Sequence, residues 1–368
     1  MEMNTIYYVC QWGNNRTRAW SGSYLALFNA LKKRSNLKEI GVKQKLSTRI
    51  KQVLNKHTGF TKYGFFYDDI KSFDPWRKNL IPQKNADILS FFEMDIPPED
   101  RGYVYQDMCI DYIDNVILKD EILRKCFRRN VSQKVIAVRK NKQKDYYNKC
   151  TGIFVMGKWL KEYLVNNMGV PENKIHCVGA GYDVDISKYN IAKRHGNKIL
   201  FVGIDFERKA GPLVVEAFKV LKNKYMRNAE LYIVGPKQFS AKDNNEGIHY
   251  VGNVSNDKIT DYYNDCDVFC MPSYLEPFGK AYIEALAYGM PVIARKAFAT
   301  PEYIRDGENG FLIENDDVEL LASKMFEALT SERIKEYVKK DMLHIREFYS
   351  WDSVAKRIND VIIKNANK

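Results

Sequence analysis

Short apolar runs alternate along the chain with longer stretches in which apolar residues return every three or four positions. The runs are Ile6–Cys10, Ile88–Phe92, Tyr103–Gln106, Ile153–Met156, Ile175–Val178, Ile199–Val202, Leu231–Val234, Ile248–Val251, Val268–Met271 and Val292–Ala294. Runs this short and this continuous predict strands buried on both faces, and the helical-period stretches between them predict crossovers. Strand and helix in alternation imply parallel α/β sheets covered on both sides. The second half is the sharpest: Ile199–Val202 leads through Gly203 into a loop, after which Leu213, Val214, Ala217, Phe218 and Leu221 recur at helical spacing.

At 368 residues the chain exceeds what one hydrophobic core usually fills, so two domains are expected. The segment Ile191-Ala192-Lys193-Arg194-His195-Gly196-Asn197 is polar, holds a glycine and lacks an apolar period, which marks a boundary. The expected domains are therefore residues 1–190 and 191–349. Over 350–368, Val354, Ile358, Val361 and Ile362 share one helical face that needs a surface, and this helix is expected to cross back onto the first domain.

Composition then narrows the partners. With 45% hydrophobic and 28% charged residues the chain reads as an ordinary globular protein. Its net charge of +12 suits nucleic acid, an anionic membrane face or phosphorylated small molecules. The basic residues are scattered among acidic ones, with no zinc finger and no RNA-stacking signature, so nucleic acid is not an expected partner. The seven cysteines, Cys10, Cys109, Cys126, Cys150, Cys177, Cys266 and Cys270, form an odd set without a Cys-x-x-Cys pair, the pattern of reduced core thiols in a cytoplasmic protein. No signal peptide is expected at Met1-Glu2-Met3-Asn4. No stretch approaches the ~20 apolar residues that span a bilayer, so membrane contact is expected to be peripheral.

The chemistry concentrates in Pro272–Ile293. This stretch starts at the C-terminal end of the run Val268–Met271, the edge at which parallel sheets bind ligands, and enters a helix that Gly289-Met290-Pro291 closes. Gly279 lets backbone approach a ligand closely, and a helix beginning near Lys280 presents unpaired N–H groups and partial positive charge. Glu276 precedes that helix and Glu284 lies about one turn inside it, so the two carboxylates address different parts of one extended ligand. Each accepts two hydroxyl hydrogen bonds, which is what sugar diols offer.

In order and spacing, Glu276-Pro277-Phe278-Gly279, Glu284-Ala285-Leu286-Ala287 with Gly289, and Pro291-Val292-Ile293 resemble the Glu-x7-Glu signature of the family 4 retaining glycosyltransferases. The resemblance implies the GT-B fold, an α/β architecture of two Rossmann-like domains whose parallel sheets face a central cleft. It implies that Glu276 binds donor-sugar hydroxyls, that amides around Phe278, Gly279 and Lys280 hold sugar and phosphate, and that Glu284 takes the ribose diol. Phe201–Pro212 is similar to the family loop in which an Arg and a Lys grip the diphosphate; here the candidates are Arg208 and Lys209, behind Gly203. Many members place that Arg just after the strand glycine, where this chain has Ile204. Two fixed cations neutralise a leaving pyrophosphate without a metal ion, and the nucleotide sugar is a substrate, so no cofactor is implied.

Tyr232–Pro236 and Tyr250–Ser255 resemble segments that read the base mostly through backbone near Val254, which leaves UDP and GDP undecided. Trp12-Gly13 and Trp20-Ser21-Gly22-Ser23-Tyr24 stand where the family's glycine-rich first loop approaches the diphosphate or the acceptor; Gly22 is the candidate, and a plain strand-to-helix turn is the alternative. Met156–Leu160, Met168–Ile175 and Gly179–Asp183 resemble the final first-domain segments, and the likeness is weakest between Lys32 and Asp87. Members commonly carry a first-domain histidine facing the donor sugar. Tyr103–Met108 has none, and Asp107 is the candidate in its place. Thr300-Pro301-Glu302 and Asn309-Gly310-Phe311-Leu312 resemble a further loop near the donor. His57, His176, His195, His249 and His344 are expected to be structural or solvated, and no His/Cys/Asp cluster has metal-ligand spacing.

The implied activity is retaining transfer of a hexose-like sugar from a UDP- or GDP-sugar to an acceptor hydroxyl, on a glycan or lipid-linked acceptor in surface polysaccharide assembly, with peripheral contact to an anionic membrane. A nucleotide-sugar epimerase or dehydrogenase would want Gly-x-Gly-x-x-Gly after the first strand, and Tyr8–Gly13 lacks it. A catalytically inactive glycan- or nucleotide-binding module is opposed by the intact Glu276, Glu284 and Lys209.

Overall fold

Each of the ten apolar runs coincides with a strand to within two residues, and all belong to two six-stranded sheets in which every neighbour is parallel. The computed structural model describes residues 4–10, 12, 16–41, 85–92, 99–127, 133–190, 192, 194–236 and 246–367. The chain divides into two units, Met1–Gly181 with Trp351–Lys368, and Tyr182–Ser350.

The first unit holds β1 (Thr5–Cys10), β2 (Asn36–Gly41), β3 (Asp87–Ser90), β4 (Arg101–Gln106), β5 (Gly152–Val155) and β6 (Ile175–Cys177), in the order β2-β1-β3-β4-β5-β6. The second holds β7 (Lys198–Val202), β8 (Glu230–Val234), β9 (Ile248–Gly252), β10 (Val268–Cys270), β11 (Val292–Arg295) and β12 (Gly310–Ile313), in the order β12-β11-β10-β7-β8-β9. Every residue of β3, β5 and β10 is buried, and apart from Asp87 and Ser90 at the ends of β3 all are apolar or glycine. Winding reverses between β1 and β3 in the first sheet and between β7 and β10 in the second. At such a switch point the loops leave in opposite directions and open a crevice beyond the C-terminal strand ends.

Two strands, β2 and β12, lie outside the ten runs, and both are sheet edges. In β2 only Ile40 is buried, so its sequence Asn36-Leu37-Lys38-Glu39-Ile40-Gly41 carries no apolar signal. The stretch Asn309–Leu312, expected as a loop near a donor, is instead the entry to β12. A side chain on Gly310 would overlap the Val292 carbonyl, so the glycine is what lets β12 pair with β11. Asn309 is fully buried and pinned: its side-chain oxygen accepts from Arg305 N–H over 2.7 Å and its amide nitrogen donates to the Tyr303 carbonyl over 2.9 Å.

The division between units falls at Gly181/Tyr182, ahead of the polar segment 191–197. The physical reason is that Tyr182, Asn190 and Arg194 are tied to the second unit. Tyr182 N–H donates to the Tyr349 carbonyl over 3.1 Å, and Asn190 N–H to the Asn264 side chain over 2.8 Å. Arg194 donates to the carbonyls of Tyr263, Tyr288 and Gly289, the last two at the C-terminal end of the helix Lys280–Ala287, where unpaired carbonyls and negative partial charge favour a cation. The helix Trp351–Ala366 belongs to the first unit. It buries Val354, Ala355, Ile358 and Ile362, packs on the helix Ser23–Lys32, and its Arg357 donates to the Val178 carbonyl over 2.8 and 2.9 Å.

Candidate active site

The site is built from the loops that leave β7 and β10 at the switch point of the second sheet. After β7, Gly203 has no side chain, and a Cβ there would overlap Lys209 Cδ; the glycine is what lets Lys209 fold back over the strand end. Arg208 N–H donates to Asp205 Oδ1 over 3.4 Å and Lys209 N–H to the Asp205 carbonyl over 3.1 Å, so the loop closes as a turn. Ala210 follows with φ +57 and the helix Gly211–Lys224 begins. The Arg208 carbonyl accepts Tyr274 N–H over 3.0 Å and the Ser273 hydroxyl over 3.2 Å, which fastens this loop to the one after β10.

Arg208, Lys209 and Glu276 converge. Arg208 Nη1 and Lys209 Nζ each lie 3.3 Å from Glu276 Oε2, and the guanidinium also donates to the Leu275 carbonyl and stands 3.6 Å from Asp205. The adjacent residues Arg208 and Lys209 thus reach one carboxylate from the same loop. Burial works to raise the Glu276 pKa, but the charges of Lys209 and Arg208 outweigh it and hold the carboxyl below its ordinary value.

The loop after β10 ends at Phe278, which is buried against the rings of Tyr303 and Tyr349 and accepts the Tyr303 hydroxyl on its carbonyl. Gly279 has φ +80, a left-handed conformation, and a Cβ there would overlap the Tyr282 ring. The helix Lys280–Ala287 starts immediately afterwards, where the sequence placed it. Tyr282 Oη donates to the Met271 carbonyl over 2.7 Å and holds the helix to the end of β10.

Glu284 is half-buried on this helix. Its Oε1 accepts Asp183 N–H over 3.1 Å and its Oε2 accepts the Tyr263 hydroxyl over 3.0 Å. Burial pushes the Glu284 carboxyl up to about 7, with the charge of Asp183 adding to the rise and that of Lys280 opposing it. Lys280 Nζ lies 2.5 Å from Asp183 Oδ2. Asp183, Asp205 and Tyr263 were not singled out as site residues from the sequence. Asp183 has a signal in the Gly179-Ala180-Gly181-Tyr182-Asp183 segment, whose resemblance is to the end of a first domain; Tyr263 looks like any core aromatic of the helix Asn256–Asp265.

Val254 is half-buried in the turn between β9 and that helix, and β9 stands two strands from β7. Asp107 and Gly22 belong to the first unit. Asp107 follows β4 and its charge bears on the Tyr24 hydroxyl, while Gly22 takes φ +87 just before the helix Ser23–Lys32. Gly13 and His57 lie outside the described residues. The first sheet's switch point is aromatic. Tyr24 and Phe91 ring centroids are 4.3 Å apart, Trp20 lies 5.6 Å from Tyr105, and Arg16 sits 4.1 Å over the Trp12 ring. Among the described residues no group of His, Cys, Asp or Glu is placed to hold a metal ion, and no helix is long and apolar enough to cross a membrane.

A doubly wound parallel sheet makes the second unit a Rossmann-like domain, with Arg208, Lys209 and Glu276 gathered at its switch point. Residues 185–342, within the second unit, match the family model described as glycosyl transferases group 1. Among curated relatives, the chain is 28% identical to an uncharacterized glycosyltransferase, MJ1607, of Methanocaldococcus jannaschii, over 58% of this chain and 60% of the relative. It is 25% identical to the capsular polysaccharide biosynthesis glycosyltransferase CapM of Staphylococcus aureus, over 51% of this chain and 54% of the relative. The chain thus spans between about half and three-fifths of these relatives' lengths. Among solved structures, WaaG, a glycosyltransferase involved in lipopolysaccharide biosynthesis, superposes with a TM-score of 0.66 over 97% of this chain and 99% of its own, at 15% identity. The fold is therefore of the GT-B class, with two Rossmann-like parallel sheets.

Proposed function

We propose that the protein is a retaining glycosyltransferase that moves a hexose-like sugar from a UDP- or GDP-sugar to a hydroxyl of a glycan or lipid-linked acceptor. The observation that carries this reading is the Arg208–Lys209–Glu276 cluster at the ends of β7 and β10, beside the helix start at Gly279. A sugar pyrophosphate presents a dianionic bridge and a row of hydroxyls, and the cluster offers a match to each. Phosphate oxygens take over the cation contacts that Glu276 makes in the free protein, and the carboxylate turns to the sugar. Glu276 is ionised at neutral pH because both cations depress its pKa, so it accepts hydroxyl hydrogen bonds. Glu284 takes the ribose diol, and the amides at Phe278, Gly279 and Lys280 lie against sugar and phosphate.

Retention is carried over from the resemblance of the Glu276–Glu284 motif to retaining transferases, and because the motif has no evident side-chain nucleophile the transfer is written as a single step on one face. The bond from the anomeric carbon to the phosphate oxygen breaks while the bond to the acceptor oxygen forms on the same face, and the acceptor proton passes to the departing phosphate oxygen. Negative charge grows on that oxygen, and Arg208 and Lys209, already in place, stabilise it more in the transition state than in the ground state. In this reading the two cations take the role a metal ion would otherwise have, and no cofactor enters. Gly22 and Asp107 are assigned to the acceptor-side domain, Asp107 in place of the usual histidine.

Similarity to CapM and to WaaG supports a place in surface-glycan assembly. A net charge of +12 supports peripheral contact with anionic lipid at the cytoplasmic face. A thermal-shift panel of UDP- and GDP-sugars tests the reading, since a ligand of the folded state raises its melting temperature. The expected result is stabilisation by sugars of one base, with release of the free nucleoside diphosphate once an acceptor is supplied. Conversion of the sugar without nucleotide release would indicate an epimerase or dehydrogenase instead, and no shift with any nucleotide sugar would defeat the assignment.

A further inference from the structure

Lys280 and Glu284 lie one turn apart on the same helix, and both meet a residue that comes from far away in the chain. Asp183 gives its backbone N–H to Glu284 Oε1 over 3.1 Å and receives Lys280 Nζ on Oδ2 over 2.5 Å. Its own position is fastened on both sides. On one side Tyr182 donates its N–H to the Tyr349 carbonyl over 3.1 Å and its hydroxyl to the Arg346 carbonyl over 3.2 Å. On the other the Asp185 carbonyl accepts the Tyr288 hydroxyl over 2.5 Å. The Lys280 and Asp183 side chains are only 19% and 18% exposed, so water screens their pairing weakly.

We infer that Asp183 is a positioning residue for the donor site: its main chain aims the Glu284 carboxylate, and its side chain fixes where the Lys280 ammonium stands. This rests on the reading of that edge as a sugar-nucleotide site. A donor whose ribose and phosphate must be met together needs carboxylate and cation at one separation, and a single anchor for both supplies it with little loss of side-chain entropy on binding. The charged and titratable groups facing Glu284 are Asp183 and Lys280, with Tyr263 from the helix Asn256–Asp265 and Tyr288 from the end of its own helix. Removing the Asp183 charge removes a repulsion, so Glu284 should then ionise at lower pH.

Asp183→Ala and Asp183→Asn test this, because both keep the N–H and lose the charge, and only Asn keeps an acceptor oxygen for Lys280. The expected result for Asp183→Ala is a rise of about tenfold in the KM for the nucleotide sugar with kcat changed less than about threefold, and partial recovery in Asp183→Asn. In the ligand-free protein, carboxyl-carbon NMR, assigned with Glu284→Gln, should show the Glu284 midpoint near 7 falling in Asp183→Asn by roughly one pH unit. An unmoved midpoint overturns the inference whatever the kinetics, as does a wild-type KM in Asp183→Ala. If the wild type binds no nucleotide sugar, the donor reading itself falls. The inference falls with it, whereas donor binding by the wild type together with a wild-type KM in Asp183→Ala sinks the inference alone.

Discussion

At the switch point of the second sheet, β7 and β10 lead into loops that bring Arg208 and Lys209 to 3.3 Å from Glu276. At that of the first sheet, β1 and β3 end among Tyr8, Trp20, Tyr24 and Phe91, whose ring centroids lie 4.3 to 5.7 Å apart. Topology puts a crevice in both places, but the side chains that fill it decide what it can bind. The charged edge works only as a set: taking one cation from Glu276 leaves a partly buried carboxylate short of a partner, which is costly. The aromatic edge has no such bookkeeping, since ring packing is individually weak and tolerant. Chemistry should therefore be concentrated at the first and diffuse at the second.

The largest effect is expected from Lys209→Ala and Glu276→Ala. Each should lower turnover by a factor of about 10² to 10³, read as nucleotide release, and should lower the melting temperature while circular dichroism still shows the wild-type fold at the assay temperature. Wild-type rates in both would place the chemistry elsewhere. Gly203→Ala comes next: the new methyl overlaps Lys209 Cδ, so the ammonium must leave its position, and turnover should fall by about tenfold. If the rate holds, Lys209 does not act from the place it occupies in this structure.

A smaller effect separates the two acids at the charged edge by sign. Glu284 has its folded pKa raised to about 7, so it holds its proton in the folded state after it has lost it in the unfolded chain. Its contribution is full below the ordinary glutamate pKa and is lost as pH rises towards 7. Glu276, depressed by Lys209 and Arg208, contributes stability above the ordinary value that is lost as pH falls through its lowered pKa. Melting temperature against pH should therefore flatten on the neutral side in Glu284→Gln and on the acid side in Glu276→Gln; the same change in both would break the distinction. The smallest effect on donor binding should come from Trp20→Ala in the aromatic edge. It should cost roughly 1–3 kcal/mol of stability by denaturant melting yet leave nucleotide-sugar affinity within about twofold. A large loss of affinity there would erase the contrast between the two edges.

The contrast was legible in the sequence only on one side. Glu276, Gly279 and the helix start at Lys280 stand close together along the chain, so local spacing revealed them. The aromatic edge gathers Tyr8, Trp20, Phe91 and Tyr105 from separate strands and loops, and no spacing announces it. The Asn309–Leu312 stretch shows the opposite failure: its Asn-Gly looks like a loop, but at a sheet edge the glycine serves the close approach of Val292.

The chain's own pattern determined ten of the twelve described strands and the parallel α/β class, because short apolar runs alternating with helical periods suit few other arrangements. It likewise determined where the ligand-facing helix begins, because a left-handed residue before a helix is a local demand that Gly279 meets. The tertiary structure alone decided the edge strands β2, in which only Ile40 is buried, and β12, whose Asn-Gly start reads as a turn. It alone decided that Asp183 belongs with the second unit, where it meets Lys280 and Glu284 from 97 and 101 residues away. Contacts over such separations depend on how the loops pack at the strand ends, and that packing leaves no period in the sequence to be read.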